Sequence, residues 1–170
     1  MSNTFILWAI LVLPWLSLFF MKKDELRRYF PVGIFTSLLS IVIVDIGSTL
    51  NLWILRENIY PLSHLFPYHL GVVPIVTMWL FKFTYGSFLK YITVDAIINL
   101  IFAFLVIPWF AARGIRENIG VTDLELFIIV TIEGVFIYVY QILQEGLTLQ
   151  KSVFGLQTAA TKPHFDDEDK

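Results

Sequence analysis

The sequence predicts an all-α integral membrane bundle of five transmembrane helices, with the N-terminus outside and the C-terminus in the cytoplasm. Three observations carry that expectation. Hydrophobic residues make up 57% of the 170-residue chain and charged residues only 15%, whereas soluble domains run at about 45–50% and about 25%. The apolar residues gather into five runs of near-spanning length. The basic residues between the runs crowd onto alternate connections, as the positive-inside rule requires.

The first run, Thr4 to Phe20, has no basic residue before it and is followed directly by Lys22-Lys23. A signal peptide has the reverse charge order and a small-residue cleavage site, so this run reads as an uncleaved span, bent at Pro14. Lys22 to Phe30 alternates charge with Leu26, Tyr29 and Phe30 at helical spacing. It reads either as a short helix lying in the interface, with Lys22, Lys23, Arg27 and Arg28 among the headgroups, or as a solvated loop between two spans. Pro31 then opens the second span, which extends to about Leu55. A loop from Arg56 to about Ser63 leads into the third run, Leu65 to Phe83, which Pro67, Gly71 and Pro74 interrupt. The alternatives there are a full crossing and a re-entrant segment. The fourth span covers about Phe88 to Phe110 and the fifth about Leu124 to Leu143. Residues 1–144 thus form one transmembrane domain, and 145–170 a polar cytoplasmic tail, partly disordered and ending in Asp166-Asp167-Glu168-Asp169.

Charge decides between the two alternatives. With five crossings, nine basic residues fall on one side (Lys22, Lys23, Arg27, Arg28, Lys82, Lys90, Lys151, Lys162 and Lys170) and three on the other (Arg56, Arg113 and Arg116). A re-entrant third run would make the count six against six. Five crossings with the basic side cytoplasmic therefore fit better. Tryptophan placement agrees: Trp15 and Trp79 fall near inner ends, Trp53 and Trp109 near outer ends.

Function rests on the polar residues inside the runs. Asp45, Asn51, Asp95, Asn99 and Glu133 lie within apolar stretches, where a charged group costs about 2.5–3.5 kcal/mol on insertion scales. Each should face the bundle interior, pair with a donor or take up a proton. Asp95 and Asn99 stack one helical turn apart, and Ser37, Ser40, Gly47, Ser48 and Asn51 share a small, polar face of the second span. With no basic residue deep in any run, Asp45, Asp95 and Glu133 read either as a proton or cation path or as interhelical contacts. His64 and His69 read as interfacial histidines rather than metal ligands, being five residues apart.

Several chemistries are excluded or unsupported. The chain has no cysteine, so disulfides, thiolate zinc sites and catalytic thiols are out. No hydrolase elbow, zinc-protease motif or phosphate-binding loop occurs, and a net charge of −2 offers no field for nucleic acid. The expectation is a non-enzymatic protein without cofactor or metal. Its surroundings are the lipid bilayer, with other membrane proteins or further copies of itself as partners.

The stretch Leu13-Pro14-Trp15-Leu16-Ser17-Leu18-Phe19-Phe20-Met21-Lys22-Lys23, followed by Arg28-Tyr29-Phe30-Pro31-Val32-Gly33, resembles a family of small multi-pass membrane proteins of spore-forming Gram-positive bacteria. Trp79-Leu80-Phe81-Lys82-Phe83-Thr84 is similar to the same family. The resemblance covers most of residues 1–145 and implies a bacterial plasma membrane or spore membrane. It carries over no activity and no site residues.

Overall fold

The computed structural model describes residues 2–60, 62 and 66–160, with 147–160 as backbone only. The chain is mostly helical. Four of its helical stretches are long and apolar enough to cross a membrane: Asn3–Phe20, Lys23–Thr49, Phe88–Ala112 and Asp123–Gly146.

Helix α1 (Asn3–Leu16) carries Pro14 in its last turn and tightens into a 3-10 turn, Ser17–Phe20. Proline has no N–H, so the carbonyl four residues back, at Ile10, loses its helical donor. Gly71 backs onto that same carbonyl, and a Cβ there would collide with it. The proline that weakens α1 thus opens the place where another segment crosses it.

Helix α2 (Lys23–Thr49) is continuous. The separate interfacial helix expected over Lys22 to Phe30 is instead its first two turns. The Lys22 N–H donates to the Glu25 carboxylate at 3.2 Å, which caps the helix start, and Pro31 is carried inside the helix. The second span also ends earlier than expected. Asn51 adopts a left-handed turn (φ 56°), and Trp53–Leu55 form a strand, β1. Asn51 therefore terminates α2 rather than lying within a span. Strand β1 pairs antiparallel with β2 (Arg116–Asn118), Trp53 opposite Asn118 and Leu55 opposite Arg116. Strands of three residues are too short to display alternation, which is why an all-α reading missed them.

The third run departs most from expectation. No continuous helix spans Leu65 to Phe83. Pro67–His69 form a single 3-10 turn, and helix α3 occupies only Val72–Thr84. Its 13 residues reach about 20 Å at ~1.5 Å each, short of a ~30 Å hydrocarbon core. Pro74 sits in the first turn of α3, where a missing N–H costs nothing. The helix begins only once the proline and glycine interruptions are past.

Helix α4 (Phe88–Ala112) contains one π-helical turn, Phe102–Val106, just before Pro108. Helix α5 (Asp123–Ala160) opens on a capping box. The Thr122 N–H donates to the Glu125 carboxylate at 2.8 Å, and the Glu125 N–H donates back to the Thr122 hydroxyl at 3.2 Å. It runs unbroken through the polar segment after residue 145; residues 161–170 of the expected tail, and His64, lie outside the described residues.

Side-chain contacts fix the direction of every segment. At one end, Asn3 donates to the Glu57 carboxylate and to the Arg113 carbonyl, beside the β1–β2 hairpin. At the opposite end, Lys82 pairs with Glu25 and Arg28 with Glu145. Residues 56–84 lead from the hairpin end to the Lys82 end, with the 3-10 turn Pro67–His69 and α3 as their described helical elements.

The interior has two apolar cores. Leu7, Trp53, Phe66, Phe102, Phe110 and Leu126 belong to the one nearer the hairpin. Tyr29, Val32, Met78, Phe81, Tyr91 and Tyr138 belong to the one nearer the Arg28–Glu145 pair. Along α2, residues 33–42 separate the two cores; along α4, residues 92–101 do so; along α5, residues 127–136. Those intervals hold Thr36, Ser37, Ser40, Asp95 and Glu133, five of the buried polar side chains.

A polar waist between two apolar cores

Thr36, Ser37, Ser40, His69, Thr77, Asp95 and Glu133 are all buried, and they occupy this interval. All of these except Ser37 line a cavity of about 90 Å³, well above the ~10–15 Å³ that admits one water. Its walls come from all the elements α2 to α5, with Ser40, His69, Thr77, Asp95, Asn99 and Glu133 as the main polar lining.

Each side chain has a local reason to be there. Asn99 donates through Nδ2 to Asp95 Oδ2 at 2.8 Å, the i, i+4 relation read from the sequence. The Asp95 carboxyl lies directly against Gly134, where any Cβ would collide with it, so the glycine makes room for the acid. Tyr91, one turn below, donates its hydroxyl to the Gly134 carbonyl at 3.1 Å and fixes α4 to α5 at that level. Glu133 is the neighbour of that glycine. Its carboxyl is electrostatically coupled to Asp95, and its Oε1 is buried without a hydrogen-bond partner among the described residues. A buried polar atom of this kind calls for a water, an ion or a proton.

Ser40 and His69 form the opposite wall. Ser40 Oγ lies 3.1 Å from the Ser37 carbonyl and 3.1 Å from His69 Nδ1. A hydroxyl has one proton, and the carbonyl can only accept it. His69 Nδ1 is therefore assigned the imidazole N–H, donated to Ser40, which leaves Nε2 with its lone pair. Tyr68, beside it, stacks on Phe102 at 4.9 Å and lies in electrostatic reach of both Arg116 and Glu133. The π-helical turn of α4 begins at that same Phe102, and such turns recur at functional sites.

The sequence-predicted residues divide. Asp95, Asn99 and Glu133 come together around the cavity. Asp45 does not: its side chain is exposed and lines a separate, larger groove on the outer side of α2. The three carboxyls therefore do not share one chamber, because Asp45 projects from a different face of α2 than Ser37 and Ser40. His69, expected at an interface, is buried in the waist. Arg116, expected in an exposed loop, is only 3% accessible, its guanidinium 5.0 Å from the Trp53 ring centre and 5.9 Å from that of Phe102. Burial pushes that guanidinium down to about 10, so it is still charged at neutral pH. The expectation that no basic residue lies deep in any run is untouched by this, since Arg116 belongs to a connection. The hairpin, not a span, carries it inward. Trp53 is likewise buried rather than interfacial, seated on Gly47 with its Nε1–H donated to the Val44 carbonyl at 3.1 Å.

The basic residues around the second span are exposed at the end opposite the hairpin. Lys22, Lys23 and Arg27 line the start of α2 there. Arg28 is tied to Glu145, with Nη2 2.8 Å from Oε2, and its guanidinium sits 4.5 Å from the Tyr85 ring centre. Among the described residues, no group of three or more His, Asp or Glu side chains is arranged to hold a metal. Comparison with protein-family models, with curated proteins and with solved structures gave no match. The site must be read from its own geometry.

Proposed function

We propose that this chain is a five-pass protein of a bacterial plasma membrane, or of a spore membrane. Its role is non-enzymatic: it takes up a proton or small cation at the Asp95–Glu133 waist, as a small transporter or channel component. The observation that carries the reading is the convergence of these two buried carboxyls on one cavity, with Glu133 Oε1 unpartnered among the described residues. Charges at such depth are costly and characteristic of ion and proton pathways. Four apolar helices supply four crossings. The fifth is the path of residues 56–84 from the hairpin end to the Lys82 end, with α3 over its second half. Irregular backbone at membrane depth is tolerated where protein buries it or a polar cavity adjoins it, and His69 is at that point.

The experiment is flux. Purified protein in liposomes should move protons or a monovalent cation, and Glu133→Gln and Asp95→Asn should each reduce the flux at least tenfold. Flux that is absent, or unaffected by both substitutions, defeats the reading. Orientation has its own test. The native chain lacks cysteine, so single cysteines at Tyr60 and Lys23 are clean reporters. An impermeant maleimide added to cells should label Tyr60→Cys and spare Lys23→Cys.

A second reading is a partner within a larger membrane assembly. It is favoured by the aromatic cluster of Phe81, Tyr91 and Tyr138, which closes the waist toward the Arg28–Glu145 end. A single copy would then supply half of a path, completed by a second copy or another membrane protein. Recovery in mild detergent of a monomer that is itself active in liposomes would count against it.

A further inference from the structure

The groove that holds Asp45 measures about 610 Å³ and is lined by Val44, Asp45, Ser48, Trp53, Asn58 and His69, among others. His69 lines the Asp95–Glu133 cavity as well. One imidazole, 6% accessible, is therefore shared by two spaces. On one side is a groove with an exposed carboxylate. On the other is a smaller cavity with two buried carboxyls. Ser40, on which Nδ1 is anchored, lines the chamber and not the groove.

We propose that the Asp45 groove is the outer vestibule of the waist and that His69 relays protons between them; this deepens the proton reading above and rests on it. The step balances without any co-reactant. A proton from the groove binds the Nε2 lone pair. The Nδ1 proton leaves to Ser40 Oγ, which releases its own proton through chamber water to a carboxylate of Glu133 or Asp95. One proton has moved, and the imidazole is left protonated at Nε2; return to the starting tautomer resets it. Histidine suits the task because its two nitrogens are distinct and its ordinary pKa lies near neutrality. Asp45 raises the local concentration of protons and cations at the mouth.

The groups that face His69 fit this role. Ser40 of α2 holds Nδ1, Tyr68 presents its ring edge-on at 5.6 Å, and Phe66 lies at 6.1 Å. Arg116 of β2 lies within electrostatic reach of the ring. Asp95 of α4 and Glu133 of α5 wait in the chamber, and Asp45 of α2 in the groove. This also accounts for Asp45, which the waist itself leaves unused.

The test is proton flux in liposomes carrying a trapped pH dye, with an imposed membrane potential, for wild type, Glu133→Gln, His69→Gln and Asp45→Asn. Glutamine can keep a donor toward Ser40 but cannot relay. His69→Gln is expected to cut flux at least tenfold with an unchanged melting temperature, and Asp45→Asn to cut it severalfold. Flux that survives His69→Gln while Glu133→Gln is silent overturns the route and leaves the waist reading standing. No flux from wild type overturns both. Should His69→Gln fail to fold, Asp45→Cys serves instead. A cationic impermeant thiol reagent added on the outer side should reduce flux, and modification solely from the inner side would overturn the proposal.

Discussion

The two ends of the bundle are built differently. At the hairpin end, backbone does the joining. Strands β1 and β2 pair, the Arg56 amide donates to the Ile115 carbonyl at 2.9 Å, and Trp53 lies flat on Gly47 beneath the buried Arg116. At the other end, side chains do it. Glu145 alone receives Arg28, the Tyr85 hydroxyl at 2.6 Å and Gln141 Nε2 at 2.8 Å. Glu145 thereby ties α2 and the α3–α4 connection to α5. Backbone pairs and buried rings are indifferent to salt, whereas a partly exposed ion pair is not. The hairpin end has an exposed ion pair as well, Arg56–Glu117, but its joining does not depend on that pair as the other end depends on Glu145.

That contrast can be broken most severely at Trp53. Trp53→Ala should cost about 3–5 kcal/mol, since it empties the space over Gly47 and strips Arg116 of its ring. The readout is the fraction of monodisperse protein surviving a heat ramp in detergent. A loss no greater than that of an exposed-site control would sink the claim that the hairpin end depends on this ring. Glu145→Gln should cost less, on the order of 1 kcal/mol, because Arg28 is half exposed. It should also abolish the salt dependence of the wild-type melting midpoint. Salt dependence retained in the variant would locate the sensitivity elsewhere. Between the ends, Ser40→Ala should cost about 1 kcal/mol by leaving the His69 Nδ1–H unpaired, measured in the same ramp. Asp45→Asn, at an exposed position, should change stability by less than about 0.5 kcal/mol. A large drop would mean that the groove carboxylate is structural.

How much of this was legible beforehand follows from what each feature depends on. Long apolar runs announce themselves because lipid demands them over a whole window, so three of the four candidate spans were placed within a few residues, while the second, read as 31–55, is Lys23–Thr49. The Asp95–Asn99 pair was legible because one helical turn relates them. The third segment was readable as interrupted, through Pro67 and Gly71, but not as helix only from Val72. Helix length there depends on Gly71 meeting α1 and on His69 meeting Ser40. Asp45 was misplaced because polarity inside an apolar run says that a residue is unusual without saying which face it takes. Arg116 and His69 were missed for the opposite reason. Both stand in short connections that composition assigns to the surface, and only the hairpin and the broken third segment carry them inward. A clue existed in Gly71 and Gly120, glycines that allow close backbone approach at both places.

The broken third segment bears on how the protein is made. A continuous apolar helix satisfies its own backbone and can leave the translocation machinery for lipid by itself. The segment before α3 has no such helix, and described backbone groups in it take partners elsewhere in the chain, as when Trp15 Nε1 donates to the Leu70 carbonyl at 3.1 Å and the Arg56 amide donates to the Ile115 carbonyl at 2.9 Å. The hairpin in turn requires β2, which is synthesised about sixty residues after β1. The third segment must therefore wait, at the membrane surface or beside the first two helices, until α4 has been delivered. Assembly order is written into the chain by a helix that starts too late.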